Sequence, residues 1–392
     1  MKKRIAFVLA QATVGGVETS LINLLNKMDL QKYDICLFTN ISGNPCVGAV
    51  PKEIRIIDLD KYSPSSVFKD RVKSGHIISA MRVFLAYLKS RCIKSDVLKV
   101  KCLCEAYNLS EEHFDCAIAY KQDYSSVAQT LYQIRATKKI VWIHGSLWKA
   151  NNPDQAYLKM LGKFDKTYCV SKTVESSFCK ICKRNDNQTE VLYNLLDTQL
   201  IIKKSLENPE KDIRAGMNSQ SYLFATVGRL AKEKGLLLIP AVARLLCQDG
   251  YCFKWVLVGE GDLREELEQS IRKEGVCEKV ILLGTADNPY PYMKLCDIYI
   301  HPSSVEGWGL TIQEAKILQK PIITTNIPVM REQIEHLTNG YLVDPDSVDS
   351  LYNGIKELIA STEMKNGFIH SLKEEKYVGE VQLKKLYSFL ET

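Results

Sequence analysis

Short runs rich in apolar and β-favouring residues, each followed by a stretch of helical spacing, recur along this chain, and the pattern is played twice. From the N-terminus come "RIAFVL", "YDICLFT", "IRIIDL", "FDCAIAY", "KIVWIHG", "KTYCVS" and "EVLYNLL". Near-continuous apolar runs between helices belong to parallel sheets covered on both faces. From about 199 to 220 the chain is polar and lacks a strand signal, which reads as an interdomain connection. The pattern then restarts with "SYLFATVG", "KWVLVG", "KVILLG", "DIYIHPS", "PIITT" and "GYLVDPDS". The expected architecture is therefore α/β, with two doubly wound Rossmann-like domains facing across a cleft. Expected bounds are 1–198 for the first, 221–375 for the second, and 376–392 for a C-terminal helix packing back on the first.

A length of 392 residues suits two cores rather than one. No stretch approaches the length of a membrane-spanning helix. The basic, apolar start "MKKRIAFVLA" mimics a leader peptide, yet it reads better as a buried first strand followed by loop and helix. Thirteen cysteines are scattered, many of them in apolar runs (Cys36, Cys116, Cys169, Cys252) where a reduced thiol serves as a small hydrophobe. Cys179 and Cys182 form a C-x-x-C with no second pair or His to complete a zinc site. A reducing, cytoplasmic setting is expected. Charge is uneven: residues 1–200 carry 29 Lys and Arg against 19 Asp and Glu, while 201–392 carry 23 against 27. The first half is thus expected to face something anionic.

Three loops carry chemistry. In "TVGGVETS", Gly15 and Gly16 open a helix from about Val17 and would admit an anion at its N-terminus. In "VGRLAKEKG", Arg229 and Lys234 lie on the loop after the first strand of the second half, where a guanidinium and an ammonium would converge on a diphosphate. In "HPSSVEGWGLTIQEA", Glu306 and Glu314 are separated by seven residues, with Gly307 and Gly309 beside the first. Were that run wholly helical, the carboxylates would stand roughly 12 Å apart and about 80° around the axis. That suits two ends of one ligand rather than a glycosidase pair, which works across roughly 5 to 9.5 Å. Hydroxyls at both ends and phosphate between them describe a nucleotide-diphosphate sugar.

With these motifs in this order, the chain resembles the GT-B retaining glycosyltransferases of family 4, including those that build bacterial surface polysaccharide. The resemblance implies roles residue by residue. Glu306 would contact the donor sugar near its reacting carbon, and Glu314 would hold the ribose. Arg229 and Lys234 would neutralise the departing diphosphate, helped by backbone N–H groups around Trp308, Gly309, Leu310 and Thr311. Gly16 would close over the phosphates or the acceptor, and His144 in "WIHG" matches the family's histidine beside the donor sugar. Backbone near Leu283, Gly284 and Thr285 would meet the base. "YNLLD" has Leu195 where the family favours glycine, so no role passes to Asn194 or Asp197, and Trp308 replaces a more usual phenylalanine.

The implied donor is a UDP-sugar and the acceptor a glycan or lipid-linked saccharide; no cofactor, metal or nucleic-acid partner is expected. The pairs Asp58/Asp60 and Asp344/Asp346 look like a strand end and a turn rather than metal ligands. Alternatives are a GT-B-fold sugar-nucleotide epimerase or phosphorylase, and an inactive glycosyltransferase-like subunit. Residues 68–104 hold nine Lys and Arg against two Asp. There, Ile78, Met81, Leu85, Leu88 and Cys92 recur at helical spacing. Either the stripe packs on its own sheet beneath a solvated basic face, or the surface docks on anionic lipid and holds the protein at the membrane's inner face.

Overall fold

The computed structural model describes residues 2–10, 15–42, 45–145, 154–183, 188–375 and 379–391. Two compact units emerge, Met1–Leu195 with Gly379–Thr392, and Leu196–Val378. Each is a parallel sheet.

In the first unit the strands are β1 (Lys3–Leu9), β2 (Tyr33–Thr39), β3 (Arg55–Asp58), β4 (His113–Ala119), β5 (Arg135–Ile143), β6 (Lys166–Cys169) and β7 (Thr189–Val191). They lie in the order β3-β2-β1-β4-β5-β6-β7. Register runs in parallel, with Ile5 beside Ile35 on one side and Cys116 on the other. Ile5, Ala6, Phe7 and Val8 of β1 are completely buried, as a strand between two covered faces requires.

The second unit contains β8 (Tyr222–Val227), β9 (Phe253–Val258), β10 (Val280–Gly284), β11 (Ile298–His301), β12 (Ile322–Thr325) and β13 (Tyr341–Val343), ordered β10-β9-β8-β11-β12-β13. Its core gathers Phe224, Trp255, Leu257, Ile239 and Ile355. In both sheets the strand order reverses beside the first strand, between β1 and β4 and between β8 and β11. Loops leaving the carboxyl ends of strands at such a reversal diverge and leave a crevice, the usual ligand site of doubly wound sheets.

Two expectations need correction, and one region left open resolves into separate helices. The 199–220 stretch is not a free connection. A helix at Thr198–Ser205, capped by the Asp197 carboxylate on the Leu200 N–H at 3.1 Å, belongs to the second unit. Lys211 and Arg214 then tie the rest to that unit: the Lys211 N–H donates to the Tyr292 hydroxyl at 3.1 Å and Arg214 Nη2 to the Leu295 carbonyl at 2.6 Å. Polar composition hid this because the segment is held by hydrogen bonds more than by burial. The region 68–104 is three helices, Pro64–Lys73, Ile77–Cys92 and Asp96–Cys104. Second, the stripe Ile78, Met81, Leu85 and Leu88 is exposed rather than packed on a sheet, and Ala80, Val83 and Ser90 face inward instead. The small residues let the helix sit close to its neighbours, and the large ones are left outside.

The helix Gly379–Glu391 belongs to the first unit. There Tyr387 stacks on Tyr33 with centroids 5.1 Å apart, and Gln382 accepts from the Tyr193 N–H at 3.1 Å. No helix among the described residues is long and apolar enough to cross a membrane.

Candidate functional site

The second unit's crevice is built from the loops after β8 and β11. After β8 the chain turns through Gly228 and Arg229 into a short 3-10 turn, Lys232–Lys234, and the following helix begins at Leu238. Gly235 is required there: its φ is +64°, and a Cβ would fall on the Pro302 carbonyl of the other loop. The two loops are also stitched by the Ser304 N–H donating to the Glu233 carbonyl at 2.9 Å. Gly228, Arg229, Lys234, His301 and Ser303 line one small recess.

Glu306 lies on the β11 loop, with its side chain 10% exposed. Three donors converge on its Oε1: Lys234 Nζ, His301 Nε2 at 2.8 Å and Ser303 Oγ at 3.1 Å. Burial alone would raise this carboxyl, but the Lys234 charge and the His301 contact outweigh it and hold it down at about 2. An ionised carboxylate only accepts, so Nε2 of His301 carries the proton. On its other side, His301 Nδ1 lies 3.4 Å from the Thr311 hydroxyl. Arg229, 64% exposed, turns to Glu233 at 2.8 Å. The two loop cations thus share a recess but rest on different carboxylates.

The run from Glu306 to Glu314 is not wholly helical. Its helix is Leu310–Ile317, entered through Gly309 in the left-handed region at φ +79°. A Cβ there would press on Met330 Cε at 2.8 Å. The carbonyl of buried Trp308 accepts from Gln333 Nε2, which fixes the turn. The helical separation expected for the two carboxylates therefore does not apply, and Glu306 sits on a loop before the helix. Leu310 and Thr311 open that helix, where N–H groups lack intrahelical partners and the dipole is positive. Glu314, one turn on, is 5% exposed. Burial pushes its carboxyl up to about 7, and a hydrogen bond from the Tyr290 hydroxyl at 3.2 Å offsets only part of that.

Gly284 ends β10 at φ +81°, and its carbonyl accepts from the Gly259 N–H at 2.8 Å; Thr285 beside it is exposed. The Leu283 carbonyl is taken by Lys211 Nζ at 3.1 Å.

In the first unit, Gly16 begins the helix Gly16–Lys27, with Gly15 as its cap. Buried Glu18 faces Lys121 Nζ at 3.4 Å. Beneath it, the Ser20 hydroxyl meets the Tyr120 hydroxyl and Asn194 Oδ1, each at 2.7 Å. His144 follows β5, and its N–H donates to Gln122 Oε1 at 3.0 Å. Its ring lies 4.9 Å from that of Tyr120. The residue is half-buried, but Nε2 is sealed and has no partner among the described residues. Burial holds the imidazole down at about 3, so it is neutral at physiological pH.

Asp58 caps the turn Leu59–Tyr62, and Asp60 accepts from Asn40 and from the Ser42 N–H at 3.0 Å. Among the described residues, no three His, Cys, Asp or Glu side chains gather as a metal site would require.

Sequence reasoning missed His301, Ser303 and Tyr290. The first two stood in plain view, five and three residues before Glu306 where "DIYIH" runs into the loop. Tyr290 gives no sequence signal, because only helix packing brings it to Glu314.

Two Rossmann-like α/β units, the second with paired cations and carboxylates at its strand-order reversal, define the GT-B class. Residues 207–375 match the family described as glycosyl transferases group 1, in line with the glycosyltransferase resemblance of the motifs in that segment. The chain is 28% identical over 213 residues to an uncharacterized glycosyltransferase of Methanocaldococcus jannaschii, covering 53% of this chain and 54% of that one. It is 31% identical over 186 residues to the N-acetylgalactosamine-N,N'-diacetylbacillosaminyl-diphospho-undecaprenol 4-alpha-N-acetylgalactosaminyltransferase of Campylobacter jejuni, covering 47% and 48%. The alignment thus spans about half the length of each of these two relatives. Among solved structures, Anabaena HepE in complex with UDP and glucose superposes with a TM-score of 0.72 at 18% identity over 99% of both chains, a likeness of fold.

Proposed function

We propose that this protein is a retaining glycosyltransferase that moves a sugar from a nucleotide-diphosphate donor, a UDP-sugar, to a hydroxyl of a glycan or lipid-linked saccharide in surface-polysaccharide synthesis in the cytoplasm. The observation that carries the reading is Glu306, a carboxylate held ionised by Lys234 and His301 at the mouth of a glycine-started helix. The UDP and glucose bound by HepE, and the diphospho-undecaprenol in the Campylobacter enzyme's name, support the donor and acceptor classes.

In this reading the diphosphate lies on the opening N–H groups of Leu310 and Thr311, with Arg229 and Lys234 beside it. Glu314 takes the ribose, and backbone at Gly284 and Thr285 takes the base. The bond from the anomeric carbon to the phosphate oxygen breaks as the acceptor hydroxyl oxygen bonds to that carbon; the electron pair leaves with the diphosphate, whose freed oxygen takes the hydroxyl proton. Negative charge therefore grows where the cations stand, and positive charge grows on the sugar near Glu306. Gly16 and His144 serve the sugar and acceptor side, His144 as a neutral imidazole rather than a charge.

The test is thermal stabilisation by a panel of nucleotides and nucleotide sugars, followed by a transfer assay with the best binder. A ligand at a hundred times its Kd stabilises by about 2.7 kcal/mol. UDP and a UDP-sugar are expected to raise the melting temperature. A panel in which no nucleotide shifts it overturns the proposal.

A further inference from the structure

Of the seventeen large hydrophobic side chains exposed among the described residues, nine lie between Val72 and Leu98. Seven of them share the helix Ile77–Cys92; Tyr87 stands apart, and the other six are Ile77, Ile78, Met81, Phe84, Leu85 and Leu88. At about 100° per residue these six fall within an arc of about 120°. The buried residues Ala80, Val83 and Ser90 occupy roughly the opposite side. Ile78 is 84% exposed and Leu85 56%. The concentration is far beyond the single surface hydrophobics that need no explanation.

Charge frames the arc. Arg82 and Lys89 flank one edge and Arg91 the other, with Lys94 just past the helix end. All four are exposed, and they make no hydrogen bond or ion pair with another described residue. The helix itself contains no Asp or Glu. It is not a frayed appendage: Phe84 packs on Phe68 with centroids 5.9 Å apart, and the Cys102 thiol reaches the Ala86 carbonyl at 3.7 Å. The neighbouring helices hold it with its apolar side outward.

We propose that this face docks on the surface of an anionic lipid bilayer, with the helix lying in the plane of the interface. Apolar side chains would sink below the headgroups, while the basic rim on both edges meets lipid phosphate at headgroup level. A second copy of this chain would set one basic rim against another, which disfavours a self-interface. The inference goes beyond the transferase reading and does not depend on it.

The experiment is flotation of the full chain with vesicles of phosphatidylcholine, with and without phosphatidylglycerol, at low and high salt, alongside sedimentation velocity. Wild type is expected to bind only the anionic vesicles, and less as salt rises. Each basic residue contributes about 1 kcal/mol near such a surface, so the combined R82Q, K89Q, R91Q and K94Q variant should bind about a thousandfold more weakly. Ile78→Ser with Leu85→Ser should cost at least about tenfold. Both variants should keep the wild-type melting curve and nucleotide response, because these side chains are already in water.

No vesicle binding by wild type, or binding that ignores lipid charge and salt, overturns the proposal. So does a dimer in sedimentation that the Ile78 and Leu85 variant dissolves, since the face would then join two copies. Vesicle binding uses no donor. A protein that floats but responds to no nucleotide sinks only the transferase reading, and the converse sinks only this one.

Discussion

Glu314→Gln should make the ligand-free protein more stable and the nucleotide complex weaker. Glu314 is buried on the helix Leu310–Ile317 with the Tyr290 hydroxyl as its partner, and its carboxyl is raised from an ordinary 4.5 to about 7. Below pH 4.5 both folded and unfolded states hold the proton and nothing is lost. Between about 4.5 and 7 the unfolded chain releases it while the fold keeps it, so stability falls as pH rises. Above about 7 the full penalty stands. At about 1.4 kcal/mol per pH unit, this shift amounts to about 3 kcal/mol.

Glutamine keeps an oxygen for the Tyr290 hydroxyl and carries no charge, so the variant should gain up to that amount at pH 8 and less than about 1 kcal/mol at pH 5. For a unit of this size, 1 kcal/mol moves the melting temperature by about 2–4 °C, which predicts a gain of about 6–12 °C at pH 8. Melting curves of both proteins from pH 5 to 9 check it. With UDP added the ordering should reverse, because ribose hydroxyls donate to a carboxylate more strongly than to an amide oxygen. A variant less stable than wild type at pH 8, or a stability difference flat across pH, would refute the reasoning.

Lys234→Ala should lower kcat by about 10²–10³, as removal of a donor aimed at developing charge does. Arg229→Ala should cost about tenfold less, being exposed and already paired with Glu233. Near-native kcat in the Lys234 variant would remove it from the leaving group. Glu306→Gln should lower kcat with donor KM nearly unchanged, the signature of a contact made chiefly in the transition state; a KM effect instead would mean that Glu306 grips the donor's resting form. Activity is expected to persist in EDTA, because Lys234, Arg229 and the opening of the Leu310 helix oppose the diphosphate charge. Loss restored by Mn²⁺ or Mg²⁺ would contradict that.

The sheets were legible because buried parallel strands such as "RIAFVL" and "SYLFATVG" write their burial directly as unbroken apolar runs. The segments around Arg229, Lys234 and Glu306 were legible because strand-to-helix loops keep their glycines and charges adjacent in sequence. What escaped was whatever depends on two elements meeting. The hydroxyl of Tyr290 reaches Glu314 across 24 positions of chain, and the two loop cations settle on separate carboxylates. The exposed stripe on Ile77–Cys92 escaped for a different reason. Helical spacing says that Ile78, Met81, Leu85, Leu88 and Cys92 share a side, yet it does not say which way that side faces. Small Ala80 and Val83 on the other flank decided it, by letting that flank approach its neighbours.

The helix Gly379–Glu391 completes the first unit with residues that the ribosome adds only after the whole of the second. At about 5–20 residues per second, Tyr33 waits roughly 20–70 s for Tyr387 to be synthesised. The first unit's sheet thus emerges before the second unit and is finished after it, while the second unit can close in between. A premature stop or a cut just before Gly379 would leave the second unit's core complete and injure the first unit, far upstream in the chain.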